Sequence, residues 1–140
     1  DDRLYKKEFV VGLLIDGMAK AYAFGDLSDQ PVVNDSFAGR DLVVTFDPQS
    51  ATGGTFSREV DGRTLTFQPI PDSGDSQDSG SPLMVDNETG RRWLMLTGEA
   101  IDGELAGTKL EHIPSNYSFW FAWKDWYPST QLFLRDAATS

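Results

Sequence analysis

The chain has 140 residues, 39% of them hydrophobic and 12% aromatic, which suits one cored domain and is too apolar for a disordered segment. Lys and Arg number 12 against 22 Asp and Glu, a net charge of −10 that argues against nucleic-acid binding and against a polybasic membrane contact. Cysteine is absent and histidine occurs once, as His112. Disulfides, thiol catalysis, cysteine-ligated metals and His-pair metal sites are therefore excluded within the chain.

The longest apolar stretch, Phe9 to Ile15, is interrupted at Gly12 and falls far short of the ~20 residues of a membrane helix. The first residue is Asp1 rather than Met. A removed export leader accounts for that, as does a start trimmed elsewhere, and an extracytoplasmic location is the expectation.

In chain order, Glu8 to Ile15 and Met18 to Phe24 read as strands joined by Asp16-Gly17. Asp-Gly between apolar runs is a strong hairpin signal, because both turn positions want positive φ. Met18, Tyr22 and Phe24 fall on one face and Ala19, Ala21 and Ala23 on the other, which predicts another layer close to the alanines. Leu42 to Phe46 reads as a buried strand ended by Asp47-Pro48. Thr55 to Val60 and Arg63 to Phe67 flank Asp61-Gly62 as a second hairpin, and Leu83 to Val85 and Trp93 to Leu96 flank the longer loop Asp86 to Gly90. Ile101 to Glu104 offers a further turn.

Two segments break this rhythm. Pro69 to Pro82 predicts an exposed acidic loop, with Asp72, Asp75 and Asp78 at a spacing of three. It lacks the ligand alternation and terminal Glu of an EF-hand, so a solvated loop is expected rather than a calcium site. Ser115 to Tyr127 is the one predicted helix, capped by Ser115 or Ser118 and followed by Pro128. Phe119, Trp123 and Trp126 are expected to share a face. The fold class is mainly β: an antiparallel sandwich or small barrel built from hairpins, with one short aromatic helix near the C-terminus. It is read as one domain over residues 1–140, with the exposed loop at 69–82.

Candidate chemistry is sparse. Trp120, Trp123 and Trp126 offer a platform for a sugar ring, a flat cofactor or a partner protein. A helix closing one end of a sheet buries most of such a face, so at most one of the three is expected to stay exposed. His112 next to Glu111 has the make-up of an oriented base. No nucleophile elbow accompanies it, and a surface or interface histidine is expected. Gly53-Gly54 lacks the Lys and strand-to-helix context of a phosphate loop. Asn87-Glu88-Thr89 and Asn116-Tyr117-Ser118 match glycosylation sequons and equally match turn or capping chemistry.

From Leu96 to Thr108 the run LTGEAIDGELAGT is more distinctive. In register with it lie Val33-Asn34-Asp35, Phe56 to Gly62 with Arg58, and Met84 to Trp93. Downstream follow Leu110, Pro114, Trp120-x-x-Trp123 and Pro128-Ser129-Thr130. Over roughly residues 8–134 this set resembles the prokaryotic family termed domain of unknown function 3179. The resemblance implies a compact bacterial or archaeal domain, commonly exported, with no established activity. Such relatives often carry a Cys-x-x-Cys near the strand after Val33-Asn34-Asp35. Here the corresponding segment, Phe46 to Ala51, has no cysteine, and any role of that pair is lost.

The resemblance implies a candidate binding set of Asn34, Asp35, Arg58, Asp86, Trp93, Thr97 and Glu99, to which Trp120 and Trp123 are added as partner-contact residues. Each also has a structural reading. Asn34-Asp35 and Asp86 fit turns, Arg58 fits a carboxylate partner across a hairpin, and Thr97-Gly98-Glu99 fits a bulge. The functional expectation is a non-enzymatic extracytoplasmic module that binds another protein or itself within a larger assembly, with no cofactor, metal or catalytic residue assigned. The alternatives are a carboxylate-dependent hydrolase or lyase on a carbohydrate-like substrate, and a small-ligand or calcium carrier.

Overall fold

A computed structural model describes residues 7–70, 82–103 and 107–133. The chain divides into two compact units: residues 1–30 with 114–140, and residues 31–113. It is mainly β, with antiparallel sheets of four, three, three and two strands, one parallel pair, and no closed barrel among the described residues.

The first unit starts with the predicted hairpin, β1 (Phe9–Ile15) and β2 (Met18–Ala23). Asp16 and Gly17 take φ of 51° and 80°, the left-handed pair that a two-residue hairpin turn requires. A short helix α1 (Phe24–Asp29) follows. At six residues with an internal glycine it has no usable periodicity, and the sequence predicts a strand residue at Phe24 instead.

The predicted C-terminal helix is shorter than expected. Asn116–Phe119 is a strand, β11, which pairs with β1 so that Phe119 opposes Phe9. Helix α2 spans Trp120–Trp126. Phe119 is its N-cap and makes no side-chain cap bond, so neither predicted serine caps it. The backbone N–H of Trp120 donates to the Glu8 carbonyl at 2.8 Å instead. Strand β12 (Gln131–Phe133) then pairs in parallel with β2, giving the sheet order β11-β1-β2-β12.

The alanine face of β2 does what its residue sizes imply. Val10, Ala19, Ala21 and Ala23 form one buried cluster with Trp120 and Trp123, flanked by Tyr127 and Leu132. The indoles of α2 need this flat floor: a Cβ built at Gly12 would lie 2.5 Å from the Trp123 ring. One of the three helical tryptophans stays exposed, within the expected number, and it is Trp126. The buried pair is Trp120 and Trp123, not the predicted Phe119, Trp123 and Trp126. A step of three residues falls ~60° short of a helical turn, and two steps carry Trp126 off the buried face.

The second unit contains β3 (Val32–Phe37), β4 (Arg40–Asp47) and β5 (Thr52–Ser57) in one antiparallel sheet. The predicted long hairpin over 55–67 does not form as such. The chain leaves the sheet at Arg58, whose backbone N–H donates to the Asp41 carbonyl and whose carbonyl accepts from Leu65. What remains is a two-residue ribbon, β6 (Glu59–Val60) with β7 (Arg63–Thr64), turned at Asp61-Gly62 as predicted.

Next, β8 (Phe67–Pro69), β9 (Leu83–Asp86) and β10 (Arg92–Leu94) make a second three-stranded sheet in the order β10-β9-β8. Pro69 and Ile70, expected in the acidic loop, extend this ladder. Asp72, Asp75 and Asp78 lie outside the described residues. The two three-stranded sheets share a core of Val32, Val43, Phe56, Phe67, Met84 and Trp93, closed by Met95, Ala100 and Leu110.

Candidate functional site

In the second unit, five of the seven predicted binding residues are bound to one another through backbone and side chain. Arg58 is only 7% exposed. Its Nε donates to the Leu42 carbonyl at 2.9 Å, and its two terminal nitrogens donate to the carbonyls of Leu65 and Asp35, each at 3.0 Å. The Asp41 carboxylate stands 3.6 Å away. The carboxylate partner expected across a hairpin is present, but backbone carbonyls take most of the guanidinium fork.

Next along β3, the Asn34 side chain acts as a strand edge. Its Nδ2 donates to the Phe67 carbonyl at 2.8 Å, and its Oδ1 accepts from the Phe67 backbone N–H at 2.9 Å. The Phe67 ring meets Trp93 edge-on, with centroids 5.8 Å apart. The Trp93 indole N–H in turn donates to Asp86 Oδ2 at 2.9 Å. Asp86 is fully buried and also accepts from the Thr89 hydroxyl and from the backbone N–H groups of Thr89 and Gly90. The same loop clasps β8 from outside: the Glu88 carboxylate accepts from both the N–H and the hydroxyl of Thr66, at 2.8 Å each.

These contacts fix the charge states. Burial opposes ionisation of Asp86, but the hydrogen bonds from Trp93, Thr89 and Gly90 outweigh it and hold its carboxyl below the usual range. The Thr66 backbone N–H lowers Glu88, and the Arg92 guanidinium lowers Asp102, which it grips at 2.8 and 2.9 Å. All three move away from the raised value that a proton-donating carboxyl needs.

The remaining predicted residues are not in this network. Thr97 is exposed, its hydroxyl accepts from the Glu99 N–H at 3.3 Å, and Gly98 between them takes a φ of 74°. Leu94 ties both ends, since its carbonyl accepts from Gly98 and its N–H donates to the Glu99 carbonyl, which makes the expected irregularity a tight turn. His112 is exposed with its ring edge on Phe56, while Glu111 pairs with Arg40 at 3.3 Å. Gly53-Gly54 lies inside β5, opposite Phe46 and Thr45. Among the described residues no group of three or more His, Cys, Asp or Glu is arranged to hold a metal. No described helix is long and apolar enough to cross a membrane.

Trp120 and Trp123 belong to the first unit, and both are buried. The exposed surface there is of another kind. Eight large hydrophobic side chains are exposed among the described residues, and all but Ile101 lie in the first unit. Phe9, Tyr117, Phe119 and Phe121 are each 38–48% exposed. Phe119 stacks on Phe9 at 4.4 Å and on Phe121 at 5.9 Å, and Phe24 bridges Phe9 to Tyr117 at 5.6 and 5.5 Å. The rings make a continuous aromatic strip. Elsewhere on this unit a groove of about 420 Å³ is lined by Met18, Trp126, Tyr127 and the 128–131 segment. Trp126 is 68% exposed, against 1% or less for the other three tryptophans.

The family model described as a protein of unknown function (DUF3179) matches residues 1–140. The chain belongs to that family. No curated protein and no solved structure matches it.

Within this DUF3179 chain the residues that carry the resemblance have visible work in the fold. Asn34, Asp35, Arg58, Asp86 and Trp93 bind strands β3, β4, β8, β9 and β10 into one frame. Nothing in the sequence marks Met18, Tyr117, Phe119, Ser129 and Gln131 as surface or groove residues, where the structure places them. One signal for Trp126 was present: three tryptophans at steps of three cannot all face inward on so short a helix.

Proposed function

We propose that this DUF3179 protein is a binding module without chemistry of its own, which joins an assembly through the aromatic strip of its first unit. The partner is another protein or a second copy of the chain. An extracytoplasmic location belongs to the same proposal and is tested by cell fractionation. The observation that supports the reading is the segregation of exposed apolar side chains. Among the described residues seven of the eight large ones lie in the first unit, and the stacked rings of Phe9, Phe119 and Phe121 present a contiguous apolar face to solvent. Aromatic side chains of this type anchor protein interfaces because they bury large area at small entropic cost. The lowered pKa values of Asp86, Glu88 and Asp102 weigh against the alternative of carboxylate catalysis.

Native mass spectrometry of the protein purified from its own cells, beside a Phe119→Ser variant, tests the proposal. A stoichiometric complex that dissociates in the variant is the expected result. A bare monomer in both, over the full accessible concentration range, would remove the proposal.

A further inference from the structure

The groove at the end of α2 is a separate feature, and its lining identifies a ligand chemistry. None of its nine residues carries a charged side chain, although 24% of the chain is charged. Its volume of about 420 Å³ falls within the range of small-molecule sites, about 300–1,000 Å³. One wall is the exposed Trp126 indole, a flat apolar plate, and Met18 supplies a flexible apolar side chain.

Polar capacity lies beside that plate. The side chains of Ser129 and Gln131 make no hydrogen bond to any described residue, which leaves one hydroxyl and one amide for a ligand. The neighbouring Thr130 hydroxyl is already committed: it accepts from the Trp123 indole at 2.8 Å and donates to the Gln131 carbonyl at 3.0 Å. That bond anchors the 128–131 segment to the buried face of α2. The Tyr127 ring packs on Trp123 with centroids 4.5 Å apart, so Trp126 is the one ring available for stacking. A single plate with a hydroxyl and an amide beside it suits a ring with an apolar C–H face and hydroxyls at its rim. A proline-rich peptide needs successive aromatic ridges instead.

We propose that this groove binds an uncharged saccharide unit, with Trp126 stacking on the sugar face and Ser129 and Gln131 bonding its hydroxyls. The site is independent of the aromatic strip and does not require an assembly partner.

Because the other three tryptophans are buried, Trp126 is a built-in reporter. The test titrates the full chain with cellotriose, maltotriose and tri-N-acetylchitotriose while tryptophan emission is followed, with calorimetry in parallel. The expected result is a saturable change with at least one of these sugars, unaltered by added salt. Affinity should fall roughly tenfold or more in Trp126→Ala, recover in part in Trp126→Tyr, and weaken in Gln131→Ala. Phe119→Ser should bind the sugar normally, which separates this site from the assembly surface. No saturable response to any of the three, or one that persists in Trp126→Ala, would overturn the proposal. So would a response to a proline-rich peptide that the sugars do not compete away.

Discussion

The two units use their aromatic and polar residues in opposite ways. In the second, polar side chains turn inward and are consumed: Arg58, Asn34 and Asp86 spend their hydrogen bonds on backbone and on Trp93. In the first, the buried Trp120 and Trp123 indoles lie on a floor of alanines and Gly12, while a second set of rings, the phenylalanine strip, stays at the surface. The difference teaches that strong polar motif residues need not mark a ligand site. A buried guanidinium or carboxylate that directs its hydrogen bonds at backbone and core groups helps to fix which strands lie together.

The largest effect that would challenge this division comes from Arg58. Arg58→Ala leaves three carbonyls without their donor, and a loss of about 3–5 kcal/mol in urea unfolding is expected. Arg58→Lys should recover only part of it, since one ammonium cannot reach three carbonyls in a plane. A loss below about 1 kcal/mol would mean that the frame is not held here.

Asp86→Asn is next, at about 2–3 kcal/mol near neutral pH. Its pH dependence has a defined sign. The carboxyl is more acidic folded than unfolded, so its contribution is complete above about pH 4 and disappears as pH falls through the lowered value. The penalty of Asp86→Asn should therefore shrink at pH 2–3, which chemical denaturation at the two pH values measures.

Gly12→Ala probes the first unit alone. The added methyl meets the Trp123 ring, and about 1–3 kcal/mol should be lost. If the units unfold separately, only one transition should move.

Two substitutions should hardly change stability. Phe119→Ser removes a stacked ring but supplies the missing N-cap hydroxyl of α2, so its net change should stay within about 1 kcal/mol while association is lost. Thr55→Val removes a buried hydroxyl that has no hydrogen-bond partner, and a gain of up to about 1 kcal/mol is expected in thermal melts.

Local chemistry made part of this legible from sequence. Asp16-Gly17 and Asp61-Gly62 announce their turns because both positions need positive φ. The turn at Ala38-Gly39 has the same geometry, with Ala38 at 53°, yet alanine gives no such signal. The alanine face of β2 predicted a close layer, and α2 is that layer. The residues of β11 fit a helix as well as a strand, because four residues hold too little periodicity to separate the two. The frame stayed hidden for a different reason. Arg58 and Asn34 bind backbone groups of residues remote in sequence, and backbone partners leave no trace in residue identity. The parallel pairing of β12 with β2 is equally non-local.

That pairing bears on how the protein is made. The sheet of the first unit takes β1 and β2 from the beginning of the chain and β11 and β12 from its end, with the whole second unit encoded between them. On the ribosome the β1–β2 hairpin emerges before the second unit and must wait, its alanine face bare, until α2 is synthesised. The second unit holds all its own strands and can condense meanwhile, which shortens the loop that must close. The segment that closes the first unit is thus translated after the whole second unit, and a chain cut short before Trp120 carries a β1–β2 hairpin with no α2 to cover it.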